Sequence, residues 1–246
     1  MELHHYTEPF KVMNSDGDFR RLLKPSALFR YIEQAAGDHA RAYGMDDDFF
    51  HDHSTAFLIG KQAVQISRMP RRAEMLTLDT RCERFKRGTM KRLTTVYDAA
   101  GKPIIEVDAR WIAADTNEGR ILREPSWSTP EFWNEDLEGG LPQLVHKTKD
   151  LTSAGSWKAS YSLCDLNGHV NNAAYLDIAC DALPPEVIES GPVRFICIKY
   201  HRQVMMGQTV DVSYAQVDDG WYIVGRGGEH MAFECYLAFD EAEKAE

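Results

Sequence analysis

The chain repeats itself, and the repeat constrains the fold more than any other feature of the sequence. A shift of 147 positions places Asp165 over Asp18 and lays WKASYSLCDLNGHVNNAAY over FKVMNSDGDFRRLLKPSAL. In the second copy Asn167 and His169 stand where the first copy has Arg20 and Leu22. Each half is long enough to bury a core of its own, so the sequence predicts two related units in one chain.

A long amphipathic helix is predicted after this stretch in each copy. The first covers residues 25–43, with a proline at its first position and Gly44 at its end. We interpret His39, near its apolar stripe, as a packed core histidine rather than a ligand. The second follows Asn171 or Asn172, either of which would cap it, and ends at the prolines 184–185.

The hydrophobic period drops to two after each helix, which indicates strands with one buried face. The predicted strands are residues 57–67, 75–85, 90–97 and 104–113, then 193–204, 209–217, 221–225 and 231–239. Hairpin turns are predicted at residues 98–101 and 218–220. Each unit is therefore a long helix on an antiparallel sheet, an α+β arrangement. We expect the units at residues 1–125 and 151–246, with 126–150 as the linker.

Composition excludes several classes of protein. A net charge of −10 argues against a nucleic-acid partner. The start of the chain does not resemble a signal peptide and no apolar stretch is long enough to span a bilayer, so we expect no membrane insertion. Five scattered cysteines without a Cys-x-x-Cys pair suit a reducing compartment, and we expect a cytoplasmic protein.

The stretch CDLNGHVNNAAY, residues 164–175, carries the densest group of functional side chains. Asp165, Asn167 and His169 would share one face if the segment were extended, because side chains alternate along a strand. The helix that follows would bring its N-terminus to the same place, where backbone N–H groups favour negative charge. An ordinary polar turn is the competing interpretation of this spacing.

A basic segment lies in the first half. Six basic residues fall between positions 81 and 92, against the single acid Glu83. One interpretation is a solvated hairpin edge that resists mispairing with other strands. The other is a landing site for an acidic macromolecule, formed by Lys86, Arg87, Lys91 and Arg92.

These features together resemble the acyl-acyl-carrier-protein (acyl-ACP) thioesterases, the bacterial relatives of the plant enzymes that release fatty acids. The resemblance runs from Tyr6 to Phe239 and is strongest in D-x-N-x-H-V-N-N-x-x-Y, residues 165–175. Weaker matches in the family's order are Arg68 with Pro70, Trp111 with Asp115, Gly119 with Arg120, and Pro125. The family implies a tandem hot-dog fold, hydrolysis of fatty acyl-ACP, an acyl carrier protein as partner, and no cofactor or metal.

The resemblance also assigns catalytic roles to Asp165, Asn167 and His169. Thioester hydrolysis needs an activated water, a group that holds the carbonyl, and stabilisation of the oxyanion. Asp165 and His169 are the available acid and base, and the Asn167 amide can donate to the carbonyl. Backbone N–H groups at the start of the following helix would stabilise the oxyanion, and we expect Asn171 and Asn172 to contact the substrate.

One position departs from the plant enzymes. Many of them have Glu then Cys after a Tyr-Arg-Arg run, but this chain reads YHRQVMM, with Gln203 and Val204 at those positions. A glutamine cannot accept a proton near neutral pH, so this position supplies no general base, and Val204 supplies no thiol nucleophile. We therefore expect Gln203 to orient the water or the carbonyl, with Asp165 or His169 acting on protons.

Other candidate sites are weaker. Cys164 is predicted to be a core residue, pointing away from its acidic neighbour. The triplet His51-Asp52-His53 lies in a predicted acidic loop without a second ligand cluster, so we expect no metal. Two alternative functions stay open: an acyl-CoA thioesterase of the hot-dog superfamily, and a non-catalytic acyl-binding protein. The fused units fit either a monomer or a homodimer.

Overall fold

The computed structural model describes residues 4–127 and 129–240, which form one continuous antiparallel sheet with helices on one face. The strands are β1 Tyr6–Lys11, β2 Thr55–Ile66, β3 Met75–Cys82, β4 Met90–Tyr97, β5 Pro103–Asp115, β6 Ile121–Leu122, β7 Thr152–Lys158, β8 Val193–Tyr200, β9 Thr209–Val217, β10 Gly220–Gly227 and β11 His230–Phe239. The helices are α1 Pro25–Ala42, α2 Asp47–Asp52, α3 Ala174–Asp181 and α4 Pro185–Glu189. None of the helices in the described residues is long and apolar enough to cross a membrane.

The strand order repeats in mirror image about the centre of the sheet. It runs β1-β3-β4-β5-β2 in the first unit and continues as β8-β11-β10-β9-β7 in the second. The units meet where β2 pairs with β8, in a register that sets Lys61 beside Lys199 and Gln65 beside Phe195. The α+β class and the two repeated units predicted from the sequence are thus confirmed.

The repeat extends to single backbone hydrogen bonds. The Asp18 N–H donates to the Leu22 carbonyl at 2.8 Å, and at the same shift the Asp165 N–H donates to the His169 carbonyl at 2.9 Å. A 3₁₀ turn precedes each of these loops. The shift read from the sequence therefore superposes equivalent positions of the two units.

Helix α1 was predicted over residues 25–43 and lies within one residue of those limits. It buries Phe29 and Ile32 against the sheet. His39 is fully buried, and its Nδ1 accepts a hydrogen bond from Arg92 Nη1 at 3.0 Å, which confirms the prediction of a core histidine. Burial and the neighbouring guanidinium lower the pKa of His39 to about 3, so the ring is neutral.

The long second helix was a wrong prediction, because α3 has only eight residues. Asn171 delays its start: the Asn171 Oδ1 accepts the Ala173 N–H at 2.8 Å, and the Asn171 carbonyl accepts the Ala174 N–H at 2.9 Å. Pro184 lacks an N–H and disfavours helical geometry in the residue before it, so the helix ends early. The N-cap residue of α3 is Ala173, which has no side-chain cap bond, so the prediction that Asn171 or Asn172 caps the helix was wrong.

The stretch MDDDFFHDH was also predicted wrongly, as a loop. Residues Asp47–Asp52 form α2, because the Asp46 Oδ1 accepts the Phe49 N–H at 2.9 Å and caps a helical turn. Among residues 4–127 and 129–240 the structure shows no group of three or more His, Cys, Asp or Glu side chains arranged to hold a metal.

The main hydrophobic core contains residues of both units, because α1 packs on α3 as well as on the sheet. The Ser26 Oγ donates to the Asp177 Oδ1 at 2.5 Å between these two helices. Cys164 packs against this core, as predicted. Assignment of residues 126–150 as a linker stays a prediction, but its Phe132 and Val145 are buried against the first and second unit respectively.

Candidate active site

The loop that carries Asp165, Asn167 and His169 is a tight turn, so the condition of an extended segment, on which the shared face depended, is not met. The Asp165 Oδ1 accepts the Asn167 N–H at 2.9 Å, and the Gly168 N–H donates to the Asp165 carbonyl at 3.0 Å. Such bonds from an aspartate to nearby backbone compete with strand pairing. Gly168 closes the turn at φ 75°, where a side chain would be strained.

This turn opens onto a cavity of about 270 Å³ between the two units. Asp165, Asn167, His169 and Gln203, the four predicted catalytic residues, all line it. The first unit contributes Glu33 from α1 and most of the apolar wall, while the second unit adds Val170, Asn172, Tyr175, Tyr200, His201, Arg202 and Ala232. The aromatic and aliphatic part of that wall consists of Phe57, Leu58, Ile59, Trp111 and Ile112. The cavity therefore joins polar groups of the second unit to a mainly apolar surface of the first.

His169 and Asp165 lie opposite each other at the two ends of the turn. The His169 Nδ1 lies 3.5 Å from the Asp165 Oδ2 and 3.3 Å from the Val170 carbonyl oxygen. Two oxygens at this nitrogen favour a proton on Nδ1, which leaves Nε2 as the basic nitrogen of the ring. Both side chains are mostly buried yet line the cavity, so they can act on a molecule bound there.

The three asparagines differ in their surroundings. Asn167 is exposed at the tip of the turn and borders the cavity. Asn172 also lines it, and its carbonyl accepts the Tyr200 hydroxyl at 3.1 Å. Asn171 holds the turn that precedes α3 and does not line the cavity, so its assignment to substrate binding is corrected. Because its oxygens occupy the N–H groups of Ala173 and Ala174, these two groups do not form the expected oxyanion site.

Gln203 lies beyond the sheet, because β8 ends at Tyr200 rather than at residue 204 as predicted. The chain leaves the sheet there to pair with the catalytic turn: the Val170 N–H donates to the Val204 carbonyl at 2.9 Å. Gln203 is exposed to solvent and borders the cavity at the same time. This position lets its amide reach a water at the cavity mouth.

Glu33 was not identified from the sequence, although it is the cavity's carboxyl group from the first unit. Burial, and secondarily the charge of Asp165, raise the pKa of Glu33 to about 7, and Arg30 opposes the shift. The available signal was its position on α1, four residues after Phe29 and three before Ala36, both of which are buried. A charged residue on an apolar helical stripe is unusual and indicates a special environment.

Comparison with known proteins assigns the chain to a family. Residues 4–126 match the model of the acyl-ACP thioesterase N-terminal domain, and residues 146–237 match that of its C-terminal domain. The chain belongs to the acyl-ACP thioesterase family.

Similar proteins include plant members of this family. A palmitoyl-acyl carrier protein thioesterase of Cuphea hookeriana is 21% identical, over 80% of this chain and 51% of its own length. An oleoyl-acyl carrier protein thioesterase of Coriandrum sativum is 22% identical, over 92% of this chain and 68% of its own. The chain thus spans about half the length of the Cuphea relative.

Solved structures in the family share the fold. An acyl-ACP thioesterase from Bacteroides thetaiotaomicron has a TM-score of 0.87 at 20% identity and covers 96% of this chain and 98% of its own. The 12:0-ACP thioesterase from Umbellularia californica has a TM-score of 0.79 at 15% identity and covers 98% and 99%. At these identities the likeness shows the fold alone, and it confirms the tandem hot-dog arrangement.

The predicted docking segment is only partly at the surface. Arg92 is 2% exposed, and besides His39 it donates to Thr80 Oγ1 at 3.2 Å, so its assignment to a docking surface was wrong. Lys91 is also withdrawn from solvent, with its Nζ 3.5 Å from Glu83. Alternation along β4 turns Arg92 inward, whereas Lys91 lies on the opposite face and donates to the Leu137 carbonyl. Lys86 and Arg87 remain exposed at the hairpin, and Lys86 pairs with Asp136.

Proposed function

We propose that the protein hydrolyses the thioester that links a fatty acyl chain to the phosphopantetheine arm of an acyl carrier protein. The products are free fatty acid and carrier protein. The observation that carries this proposal is the cavity between the units, where Asp165, Asn167, His169 and Gln203 meet an apolar wall. Membership of the acyl-ACP thioesterase family supports the choice of substrate.

The residues fit the steps of the reaction. The water oxygen bonds to the carbonyl carbon, the C–S bond then breaks, and one proton from the water ends on the departing sulfur. Asn167 donates to the carbonyl oxygen as negative charge develops there. His169 Nε2 exchanges the proton with sulfur, while Asp165 holds the ring and stabilises its charged form. Gln203 orients the water, and the reaction requires no metal or cofactor.

Catalysis is proposed for the C-terminal unit, residues 151–246, because the equivalent loop in residues 1–125 has lost its functional groups. Arg20 donates to Asp18 Oδ2 through Nε at 3.1 Å and Nη2 at 3.0 Å, which occupies that carboxylate. Leu22 replaces the histidine. One chain then has one active site, and the first unit supplies the apolar wall.

We place the enzyme in the cytoplasm, where its five free thiols suit a reducing environment. Both halves of the cavity wall come from one chain, so we propose that a monomer is active. The cytoplasmic location also rests on the proposed substrate, because the enzyme must be in the same compartment as soluble acyl-ACP.

Expression in a bacterial host tests the proposed function. Cells that produce the wild-type protein should accumulate free fatty acids, and cells that produce equal amounts of His169→Ala should not. The chain lengths of the released acids would identify the preferred acyl group. Equal fatty acid levels in both strains would contradict the proposal.

Gln203 gives a prediction specific to this chain. Gln203→Ala should lower kcat roughly ten- to a hundredfold, because one hydrogen bond that positions the water is lost. Gln203→Glu introduces a carboxylate beside Asp165, raises the pKa of one of the two, and should add an acid limb to the pH–rate profile. Unchanged kcat and pH profile in both variants would show that Gln203 only faces solvent.

Carrier docking gives a second prediction. Acyl carrier proteins are acidic, and two exposed arginines are available to contact them. Arg202 lines the cavity, and Arg87 lies two residues after Phe85, whose ring is 5.5 Å from that of cavity-lining Phe57. Charge reversal at either arginine should raise KM for acyl-ACP about three- to tenfold at low ionic strength and less at high. KM for small acyl thioesters should stay unchanged in the Arg87 variant, because Arg87 does not line the cavity.

Arg226→Glu is the matched control, because Arg226 is exposed on β10 and does not line the cavity. An equal rise in KM for all three reversals would attribute the effect to net charge and contradict the docking surface.

A further inference from the structure

Glu33 is the one carboxyl group that the first unit contributes to the lining of the catalytic cavity. Its Oε1 is inaccessible to solvent and has no hydrogen-bond partner among the described residues. Burying a carboxyl oxygen without a partner is unfavourable, so such a group in a native fold calls for an explanation. Stability does not explain it, because an apolar residue on this stripe of α1 would avoid the penalty.

The groups around Glu33 leave it free to take a proton. Arg30, on the same helix, favours the ionised form of Glu33 and lowers its pKa. Across the cavity the titratable and charged groups are Asp165, His169, Tyr175, Tyr200, His201 and Arg202. Asp165 accepts the Asn167 N–H and contacts His169, which keeps that carboxylate engaged within its own loop. Glu33 has no comparable partner.

The internal repeat provides an independent observation. The position equivalent to Glu33 on α3, at the shift of 147, is Cys180. The thiol of Cys180 lies close enough to Arg20 of the degenerate loop for that charge to affect its pKa. Each helix therefore faces the loop of the other unit. At this position the helix opposite the loop with Asn167 and His169 has a carboxyl, and the helix opposite the loop without them has a thiol.

We propose that Glu33 is the general base of the proposed hydrolysis, a role that depends on that function. Its carboxylate accepts a proton from water as the water oxygen bonds to the thioester carbon. The C–S bond then breaks, and a proton reaches the sulfur through His169, so that acid and thiol leave. Glu33 thus supplies from the first unit the carboxylate that Gln203 does not supply. A base that titrates close to pH 7 suits this task.

The test compares wild type with Glu33→Gln on purified acyl-ACP and on a small acyl thioester. We expect kcat to fall about a hundredfold or more on both substrates, because proton transfer from water is lost. In wild type, kcat/KM should rise as pH increases through 7, since Glu33 must be ionised to act. That rise should be smaller or absent in Glu33→Gln.

Asp38→Asn is the matched control, because Asp38 is another acid on α1 and its ion pair with Arg41 lies at the surface. Its kcat should stay within twofold of wild type. A Glu33→Gln variant within threefold of wild type would overturn the role of Glu33. Wild type that leaves both thioesters intact would instead contradict the proposed function.

Thermal unfolding tests Glu33 without reference to activity. Because its pKa is raised in the folded state, Glu33 holds its proton more tightly in the folded than in the unfolded state between about pH 4.5 and 7. The folded protein therefore loses stability as pH rises through this range. Glu33→Gln removes this effect. Its Tm relative to wild type should therefore increase by several degrees between pH 5 and pH 8. A difference that does not change with pH would overturn the placement of an ionisable carboxyl in this buried site.

Discussion

His169→Ala and Asp165→Asn should each lower kcat for acyl-ACP hydrolysis by roughly two to four orders of magnitude. The first removes the ring that exchanges a proton with the departing sulfur. The second keeps the shape of the turn, because asparagine can accept the same backbone N–H, but removes the charge 3.5 Å from His169 Nδ1. Steady-state kinetics on purified acyl-ACP measure both effects.

The duplicated loop supplies the control for this prediction. Asp18→Asn makes the same chemical change at the equivalent position of the first unit, where Asp18 Oδ1 accepts the Arg20 N–H at 2.8 Å. Asp18→Asn should leave kcat within about twofold of the wild-type value, because Asp18 does not line the catalytic cavity. Full activity of a well-folded His169→Ala or Asp165→Asn variant would remove that residue from the mechanism.

Phe29→Ala should lower the free energy of unfolding by about 3–5 kcal/mol, the range for deleting a fully buried aromatic side chain. Phe29 belongs to the core that contains residues of both units, and β2 pairs with β8 across the same boundary. Both units should therefore lose stability together. Urea denaturation, followed by circular dichroism and by tryptophan fluorescence, should give one transition at a lower midpoint.

Phe19→Ala is the matched control, because Phe19 is 67% exposed and its removal should change the free energy of unfolding by no more than about 0.5 kcal/mol. Two separate transitions, with only one shifted by Phe29→Ala, would contradict a core shared between the units.

The sequence predicted the elements whose hydrophobic pattern is long and regular. Strands β4 and β9 match their predicted limits, and α1 differs by one residue. β4 and α1 each bury one face along their length, and β9 buries Val210 and Val212 at alternate positions. The edge strands were missed. β7 is mostly exposed and so lacks alternation, and β1 contains Pro9, which an edge strand tolerates.

Side chain to backbone bonds explain the local errors. Asp165 folds its segment into a turn, and Asn171 shortens α3, where hydrophobic spacing predicted a longer helix. The catalytic candidates were nevertheless identified, through the resemblance to the family. Their arrangement could not be, since it depends on which backbone N–H each short polar side chain accepts.

Tertiary packing explains the remaining differences. Charge counting could not reveal that Arg92 points inward from β4, because the direction of a side chain depends on strand register. Glu33 reaches the site only because α1 of the first unit packs opposite the loop of the second. No local sequence pattern indicates that Glu33 and Asp165 are close in space. The internal repeat predicts this proximity only if the helix of each unit is taken to pack against the loop of the other unit.

The most direct measurement of the central claim is the rate of hydrolysis of an acyl-ACP and of the acyl-CoA that carries the same acyl chain. Purified wild type should release free fatty acid from acyl-ACP with a kcat/KM at least about tenfold above that for acyl-CoA, since we propose that the acidic surface of the carrier protein docks at Arg202 and Arg87. His169→Ala should abolish most of the hydrolysis of both. Equal or higher kcat/KM for acyl-CoA would identify coenzyme A as the carrier. Binding of acyl-ACP without turnover would contradict the proposal that the protein is an enzyme.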